Sequence, residues 1–138
     1  MRLPRKQYLT ELIELQNNGR VKIITGLRRS GKSVLLFEIF RDHLLEEGVR
    51  AEQIIGIPLD ELANAKYRNP MELDKFVRDR MTEENEQYYV FIDEIQMVSE
   101  IRNPYVDDSE AKITFVDVVL GLMKLKNADV YITGSNSK

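Results

Sequence analysis

The chain has 138 residues, and its 20 lysines and arginines against 23 aspartates and glutamates give a formal net charge of −3. A length close to one average domain and a hydrophobic content of 43% indicate one globular unit with a real core. The lack of cysteine excludes disulfides and thiolate metal sites, and a single histidine excludes a histidine-cluster metal site. No apolar run approaches the ~20 residues of a membrane span, and the N-terminus has no secretory h-region, so we expect a cytoplasmic protein with no membrane partner.

Helical and strand patterns alternate along the chain. A leading segment with Tyr8, Leu12 and Leu15 at helical spacing precedes four short runs rich in β-branched and aromatic residues, and three more helical segments separate those runs. The third run is apolar on both faces, which is typical of a central strand in a parallel sheet. The predicted helices cover residues 5–17, 33–47, 71–84 and 113–126, and the predicted strands cover 21–25, 54–57, 88–92 and 130–133.

Local signals refine this plan. Asn69 and Pro70 fit the N-cap and the first position of the 71–84 helix. Residues 99–112 are polar and contain Pro104, so we predict a loop there. The first half of the 33–47 helix is apolar almost all round, which predicts a buried helix. Together the elements predict an α/β fold of three αβα layers around a parallel sheet, with function at the carboxyl ends of its strands.

Residues 26–33, GLRRSGKS, match the phosphate-binding pattern G-x-x-x-x-G-K-[S/T] at every fixed position, between a predicted strand and a predicted helix. The glycines let backbone N–H groups turn towards phosphate oxygens, and the following helix adds its positive end. Lys32 suits the β- and γ-phosphates, and the Ser33 hydroxyl suits Mg²⁺. Arg28 and Arg29 either touch phosphate or a partner, or are solvated. The alternative for the whole motif is a tight turn with a surface lysine. The candidate cofactor-binding residues are Gly26, Leu27, Arg28, Arg29, Ser30, Gly31, Lys32 and Ser33.

The third predicted strand ends in two carboxylates, Asp93 and Glu94. Beside a phosphate loop, an Asp at this place binds the Mg²⁺ shell, so Ser33 and Asp93 are the candidate metal residues. The next Glu is placed to polarise a water for attack on the γ-phosphate, so Glu94 is a candidate catalytic residue. The segment lacks the D-x-x-G pattern of GTPases, and a small-molecule kinase usually needs no such Glu. We therefore favour ATP hydrolysis over these two activities. The alternative for both acids is a solvated turn.

The fourth predicted strand runs into small polar residues that can orient the attacking water. Thr133, Ser135 and Asn136 are candidates, and we favour Ser135 and Asn136 as catalytic residues over an ordinary turn. Asp60 and Glu61, which follow the second strand, either approach the Mg²⁺ shell or form a helix cap or exposed turn.

At this point the chain resembles a known family, the AAA-type ATPases of bacteria and archaea that carry a DUF4143-like C-terminal region. The resemblance covers nearly the whole chain. It is carried by the segments GLRRSGKS, YYVFIDEIQ and VYITGSNSK, and by NPYVDD before the ITFVDVVLGLM helix.

The resemblance implies a P-loop NTPase core of the ASCE/AAA type with sheet order 5-1-4-3-2, of which strands one to four are present. It implies ATP and Mg²⁺ as ligands. By matching positions, Lys32 and Ser33 take the phosphate and Mg²⁺ roles, Asp93 the metal role and Glu94 the base role. We divide the chain into a leading helix, 1–19, and a P-loop core, 20–138.

One departure from the family pattern concerns the end of the chain. A complete module continues with a fifth strand, often a trans-acting arginine, and a helical lid, whereas this chain stops at Lys138 after the fourth strand. We therefore expect an N-terminal part of a longer protein, truncated after the fourth strand. The edge of the first strand predicts self-association unless another segment covers it. Two alternatives to a hydrolase stay open: a nucleotide-dependent switch with little turnover, and a phosphotransferase. The client, protein or nucleic acid, is not identified by the sequence.

Overall fold

The computed structural model of the protein describes residues 5–24 and 29–134. Helices and strands alternate in the order that the sequence predicts. The helices are α1 (Arg5–Leu15), α2 (Arg29–Val34), a π-helical segment (Leu35–Phe40), α3 (Arg41–Glu46), α4 (Pro70–Arg80) and α5 (Phe115–Met123). The strands are β1 (Lys22–Ile24), β2 (Ile54–Pro58), β3 (Tyr88–Asp93), β4 (Ile101–Arg102), β5 (Lys112–Ile113) and β6 (Ala128–Thr133), and short 3-10 helices cover Ala51–Gln53, Leu62–Arg68 and Ile95–Met97.

Four of these strands form one parallel sheet in the order β1-β6-β3-β2. This arrangement confirms the predicted α/β class and the predicted order of strands one to four. The central strand β3 is buried at all six of its positions, as its two apolar faces predicted. All four strands run the same way, so their carboxyl ends meet at one edge of the sheet.

Alternate side chains of the strands enter two separate cores. Tyr89 and Phe91 of β3, with Tyr131 of β6, pack against α1, the π-helical segment and α3. Val90 and Ile92 of β3 point to the opposite side and pack against α4 and α5. Burial of each such side chain contributes about 1.5–3 kcal/mol. The sheet is therefore held between two helical layers, and the predicted αβα layering is confirmed.

The helix after the phosphate loop differs from its predicted form. It begins at Arg29 rather than at residue 33, and it is π-wound from Leu35 to Phe40, where the Arg41 N–H donates to the Leu36 carbonyl. The predicted start was wrong because it was placed at the first apolar residues, whereas the backbone of the preceding polar residues is already helical. The predicted burial is right for Leu35, Leu36 and Phe40. π-helical turns inside helices are frequent near functional sites.

Helix α4 begins as predicted and ends early. Asn69 Oδ1 accepts hydrogen bonds from the Met71 N–H at 2.9 Å and the Glu72 N–H at 3.3 Å, and Pro70 is the first helical residue. The predicted end at residue 84 was wrong, since the helix stops at Arg80. The Glu83 N–H instead donates to the hydroxyl of Tyr88 at 2.9 Å, which ties the chain after α4 to the start of β3.

Residues 99–112 are not wholly a loop. The short strands β4 and β5 pair antiparallel, with Ile101 opposite Ile113. The predicted helix start at residue 113 was therefore wrong, and α5 begins at Phe115 after an N-cap at Thr114. Thr114 accepts from the Val116 N–H, and the Asp117 carboxylate accepts from the Thr114 N–H. This reciprocal capping box stabilises the start of the helix.

A buried polar network holds α1 at the amino ends of the strands, away from the predicted site. The ammonium of Lys22 pairs with the carboxylate of Asp129, which also accepts hydrogen bonds from the Tyr131 hydroxyl at 2.6 Å and the Asn17 N–H at 2.9 Å. Burial, and then the hydrogen bond to Asp129, raise the pKa of Tyr131 far above its usual range. Asn17 has a left-handed backbone, φ 58°, and this turn ends α1 two residues before the predicted boundary.

None of the helices in the two described ranges has the length and apolar character needed to cross a membrane.

Candidate functional site

Four segments converge at the carboxyl edge of the sheet. The second half of α2 supplies Lys32 and Ser33, the end of β3 supplies Asp93 with Glu94 directly after it, and the end of β6 supplies Thr133. The residues directly after Glu94 form the 3-10 turn Ile95–Met97. Parallel strands place their last residues together, which explains why segments distant in sequence meet here.

Lys32 lies inside this edge rather than on the surface. Its residue is only 5% exposed, and its Nζ donates a hydrogen bond to the main-chain carbonyl of Gly134. The alternative of a surface lysine on a tight turn therefore does not describe the side chain. The contact joins the first turn of α2 to the end of β6.

Asp93 is 2% exposed and accepts hydrogen bonds from the hydroxyls of Thr133 and Ser33. Burial is the main cause that raises the pKa of Asp93, and the nearby charges of Glu94 and Asp60 raise it further, while the two hydroxyl donors lower it. The carboxylate therefore lies where negative charge is costly, so a cation bound there would be stabilising.

The donor set at Asp93 fits Mg²⁺ bound together with phosphate. Ser33 and Asp93 offer one hydroxyl and one carboxylate, which are the hard oxygen ligands that Mg²⁺ prefers. Among the residues that the structure describes, no group of three or more histidine or acidic side chains is arranged to hold a metal ion. Mg²⁺ commonly keeps waters and takes further oxygens from substrate phosphates, so a site with few protein ligands suits it.

Glu94 is held in an uncommon conformation. Its backbone is left-handed, with φ 61° and ψ 57°, although it is not glycine. Such residues cost free energy and cluster at functional sites. The residue is 1% exposed, so it is not the solvated turn of the alternative reading. Its carboxylate Oε1 accepts a hydrogen bond from Gln96 Nε2 at 2.6 Å.

One hydroxyl connects both acidic residues. Thr133 Oγ1 accepts a hydrogen bond from the Glu94 N–H at 3.0 Å and donates one to the Asp93 carboxylate. Thr133 was a sequence candidate, but it was ranked below Ser135 and Asn136. Its observed role is to join β6 to the end of β3 beneath the site.

Part of the predicted site lies outside the described residues, and the predicted roles of that part stay predictions. Gly26, Leu27, Arg28, Ser135 and Asn136 lie outside the described residues, and so do the side chains of Arg29 and Ser30.

Sequence reasoning missed Gln96 and the packing around Gly134. A Cβ atom on Gly134 would lie 3.0 Å from Ile95 Cγ1 and 3.4 Å from Gln96 Oε1, so the end of β6 packs closely on the turn after Glu94. The available signal was the position of Gln96 two residues after the acidic pair, where a tight turn returns a side chain towards the preceding carboxylate.

Comparison with known proteins adds a family and one relative. A family model described as an AAA domain matches residues 18–138. An uncharacterized protein of Haemophilus influenzae is 30% identical over 135 residues, which is 98% of this chain and 30% of the relative. The chain therefore spans less than a third of the length of that relative.

Proposed function

The chain belongs to the AAA domain family, and from that premise we propose that it binds Mg-ATP through the Walker A loop at residues 26–33 and hydrolyses it. The family supports nucleotide binding and ATPase activity. The observation that carries the finer proposal is the buried cluster in which Lys32, Ser33, Asp93 and Glu94 meet through Thr133 and Gly134.

Phosphate would bind a positive charge, the Lys32 ammonium, that is already buried away from water. The Lys32 ammonium is buried and donates to the Gly134 carbonyl, and its hydrogen bond to a charged phosphate would be stronger than one to a neutral carbonyl. Helix α2 begins at Arg29, within the predicted phosphate loop, so its first N–H groups would add positive potential there. These features favour a polyphosphate ligand over a neutral one.

Ser33 and Asp93 would hold Mg²⁺, which supplies charge neutralisation to the β- and γ-phosphates. Asp93 is kept in place by Thr133, so its carboxylate does not have to reorganise when a cation arrives. The pKa of Asp93 is raised mainly by burial, and a bound cation would reverse that effect by favouring the carboxylate.

Glu94 would act as the general base. A water oxygen forms a bond to the γ-phosphorus, the bond from that phosphorus to the β,γ-bridging oxygen breaks, and ADP leaves with those electrons. The proton of the attacking water goes to the Glu94 carboxylate and is later released to solvent. Removal of a positioned general base typically costs about 10²–10⁴-fold in rate.

The wider role of the protein is also a proposal. We propose that hydrolysis drives a conformational change in a larger protein, with a DUF4143-like C-terminal region and a protein or nucleic-acid client. The support is that the matched segment is only 30% of the uncharacterized relative. We place this activity in the cytoplasm.

The proposal is tested by turnover of the full-length protein. Glu94→Gln should bind Mg-ATP as the wild type does and lose hydrolysis by about 10²-fold or more. A Glu94→Gln protein that hydrolyses ATP as fast as the wild type contradicts the base assignment. A wild type that binds ATP tightly without turnover supports the switch, and a phosphorylated acceptor supports the phosphotransferase.

A further inference from the structure

The side chain of Gln96 connects the surface of the protein to a buried acid. Gln96 lies in the 3-10 turn after β3 and is itself exposed. Its amide nevertheless turns inward and donates from Nε2 to Oε1 of Glu94 at 2.6 Å. This distance is short for an amide donor.

The turn itself fixes where this amide can reach. The Met97 N–H donates to the Glu94 carbonyl at 3.0 Å, which closes the turn directly on the acidic residue. Glu94 has a left-handed backbone, so its main chain is held in an uncommon geometry. The Gln96 amide contacts the carboxylate itself, which lies beyond what the backbone conformation fixes.

The other end of the same amide lies near the residue that follows β6. Gln96 Oε1 lies close to Gly134, and the carbonyl of Gly134 accepts the hydrogen bond of Lys32. Gln96 therefore stands between the Glu94 carboxylate and the residue that receives the Lys32 ammonium. A glycine at 134 permits this approach, since a Cβ there would crowd Ile95 and Gln96.

We propose that Gln96 is a positioning residue that holds the Glu94 carboxylate for water activation and sets it relative to the end of β6. This inference rests on the proposed function, because it gives Gln96 a role only through Glu94. The Gln96 amide lets an exposed turn control the direction of a base that is otherwise enclosed.

The test removes the amide and measures binding and turnover separately. Gln96 is exposed, so Gln96→Leu takes little from either core, and the full-length variant should fold. We expect kcat for ATP hydrolysis to fall about 10- to 100-fold, because misplacing a reacting group by about 1 Å costs up to about 10²-fold. Gln96 is not among the predicted nucleotide or metal residues, so the Kd for Mg-ATP by calorimetry should stay close to that of the wild type.

A matched control makes the same chemical change elsewhere. Gln87 donates to the carbonyls of Tyr88 and Asn127 at the opposite end of β3, so Gln87→Leu removes an amide far from the site. Its kcat should equal that of the wild type. An equal fall in both variants indicates a general structural effect and overturns the assignment of Gln96.

A double variant separates this inference from the proposed function. In a Glu94→Gln background, adding Gln96→Leu should cause no further loss, because Gln96 acts through the carboxylate that is already gone. A further loss of similar size overturns the inference while the base assignment stands. Unchanged or higher kcat in the single Gln96→Leu variant also overturns it. If Glu94→Gln alone hydrolyses ATP as the wild type does, the base assignment fails, and the role of Gln96 fails with it.

Discussion

Replacing Thr133 with valine removes one hydroxyl from beneath the site and keeps the shape of the side chain. Two hydrogen bonds are lost, one from the Glu94 N–H and one to the Asp93 carboxylate. Thr133 is 0% exposed, so water does not replace them. The Glu94 N–H left without this partner costs about 1–3 kcal/mol, and Asp93, which keeps the Ser33 donor, loses one hydrogen bond of about 1 kcal/mol, so the free energy of unfolding should fall by about 2–4 kcal/mol.

Urea unfolding of Thr133→Val and Thr133→Ser measures this effect. The serine variant keeps the hydroxyl and loses one methyl group, so its loss should be nearer 1 kcal/mol. A valine variant as stable as the serine variant would refute the reasoning, since it would mean that the shared hydroxyl does not hold β6 to the end of β3. A second consequence is a weaker effect of Mg²⁺ on stability in the valine variant, because Asp93 loses a fixed position.

Three further predictions follow from the described contacts. The pKa of Asp93 is raised in the folded protein, so the wild type loses stability as the pH rises through that pKa. Asp93→Asn has no carboxylate at this place, so its free energy of unfolding in urea without Mg²⁺ should rise relative to that of the wild type between about pH 4 and pH 7. An unchanged difference between the two proteins over that range contradicts the prediction. Asp129→Ala leaves the Lys22 ammonium buried without its ion pair, and urea unfolding should show a free energy of unfolding lower by about 3–5 kcal/mol. The control, Asp79→Ala, breaks an exposed ion pair with Lys75 and should cost less than about 1 kcal/mol. Similar losses in the two variants contradict the prediction. At the edge of β1, Ile23 is 65% exposed beside a groove of about 500 Å³. We expect this edge to associate with a second copy, which light scattering at high concentration would detect, and Ile23→Lys should weaken the association. A wild-type protein that stays monomeric contradicts this prediction.

The central strands were predictable because burial on both faces gives short, continuous apolar runs that are rich in β-branched and aromatic residues. β3 and β6 read as continuous apolar runs, and the predicted spans differ from the observed ones by one or two residues. Their neighbours in the sheet followed from the alternation of elements and from the family resemblance. The register was not predictable, because it depends on side-chain packing between the two cores.

Helix ends were less predictable, because contacts with the neighbouring strands determine them. α4 stops at Arg80 when the chain turns to place the Glu83 N–H on Tyr88, and no local signal indicates that bond. The β4–β5 pair is two residues long in each strand, which is too short to show a period. α5 was the exception, since the Thr114 and Asp117 capping box is visible in the sequence and was overlooked.

The candidate site was also predictable only in part. Lys32, Ser33, Asp93 and Glu94 meet as their motifs predict, because strand ends in a parallel sheet share one edge. The position of Thr133 could not be predicted from the sequence. It depends on the β3–β6 register, in which Ile92 pairs with Ile132 and Thr133 therefore comes next to the acidic pair.

The central claim is that the cluster around Lys32 binds the phosphates of Mg-ATP, and isothermal titration calorimetry tests it most directly. Mg-ATP titrated into the full-length protein should give saturable heat with one site per chain, and Lys32→Ala should abolish it while Lys75→Ala, at an exposed helical lysine, leaves it unchanged. No heat with folded wild-type protein, or equal binding by Lys32→Ala, would contradict the account.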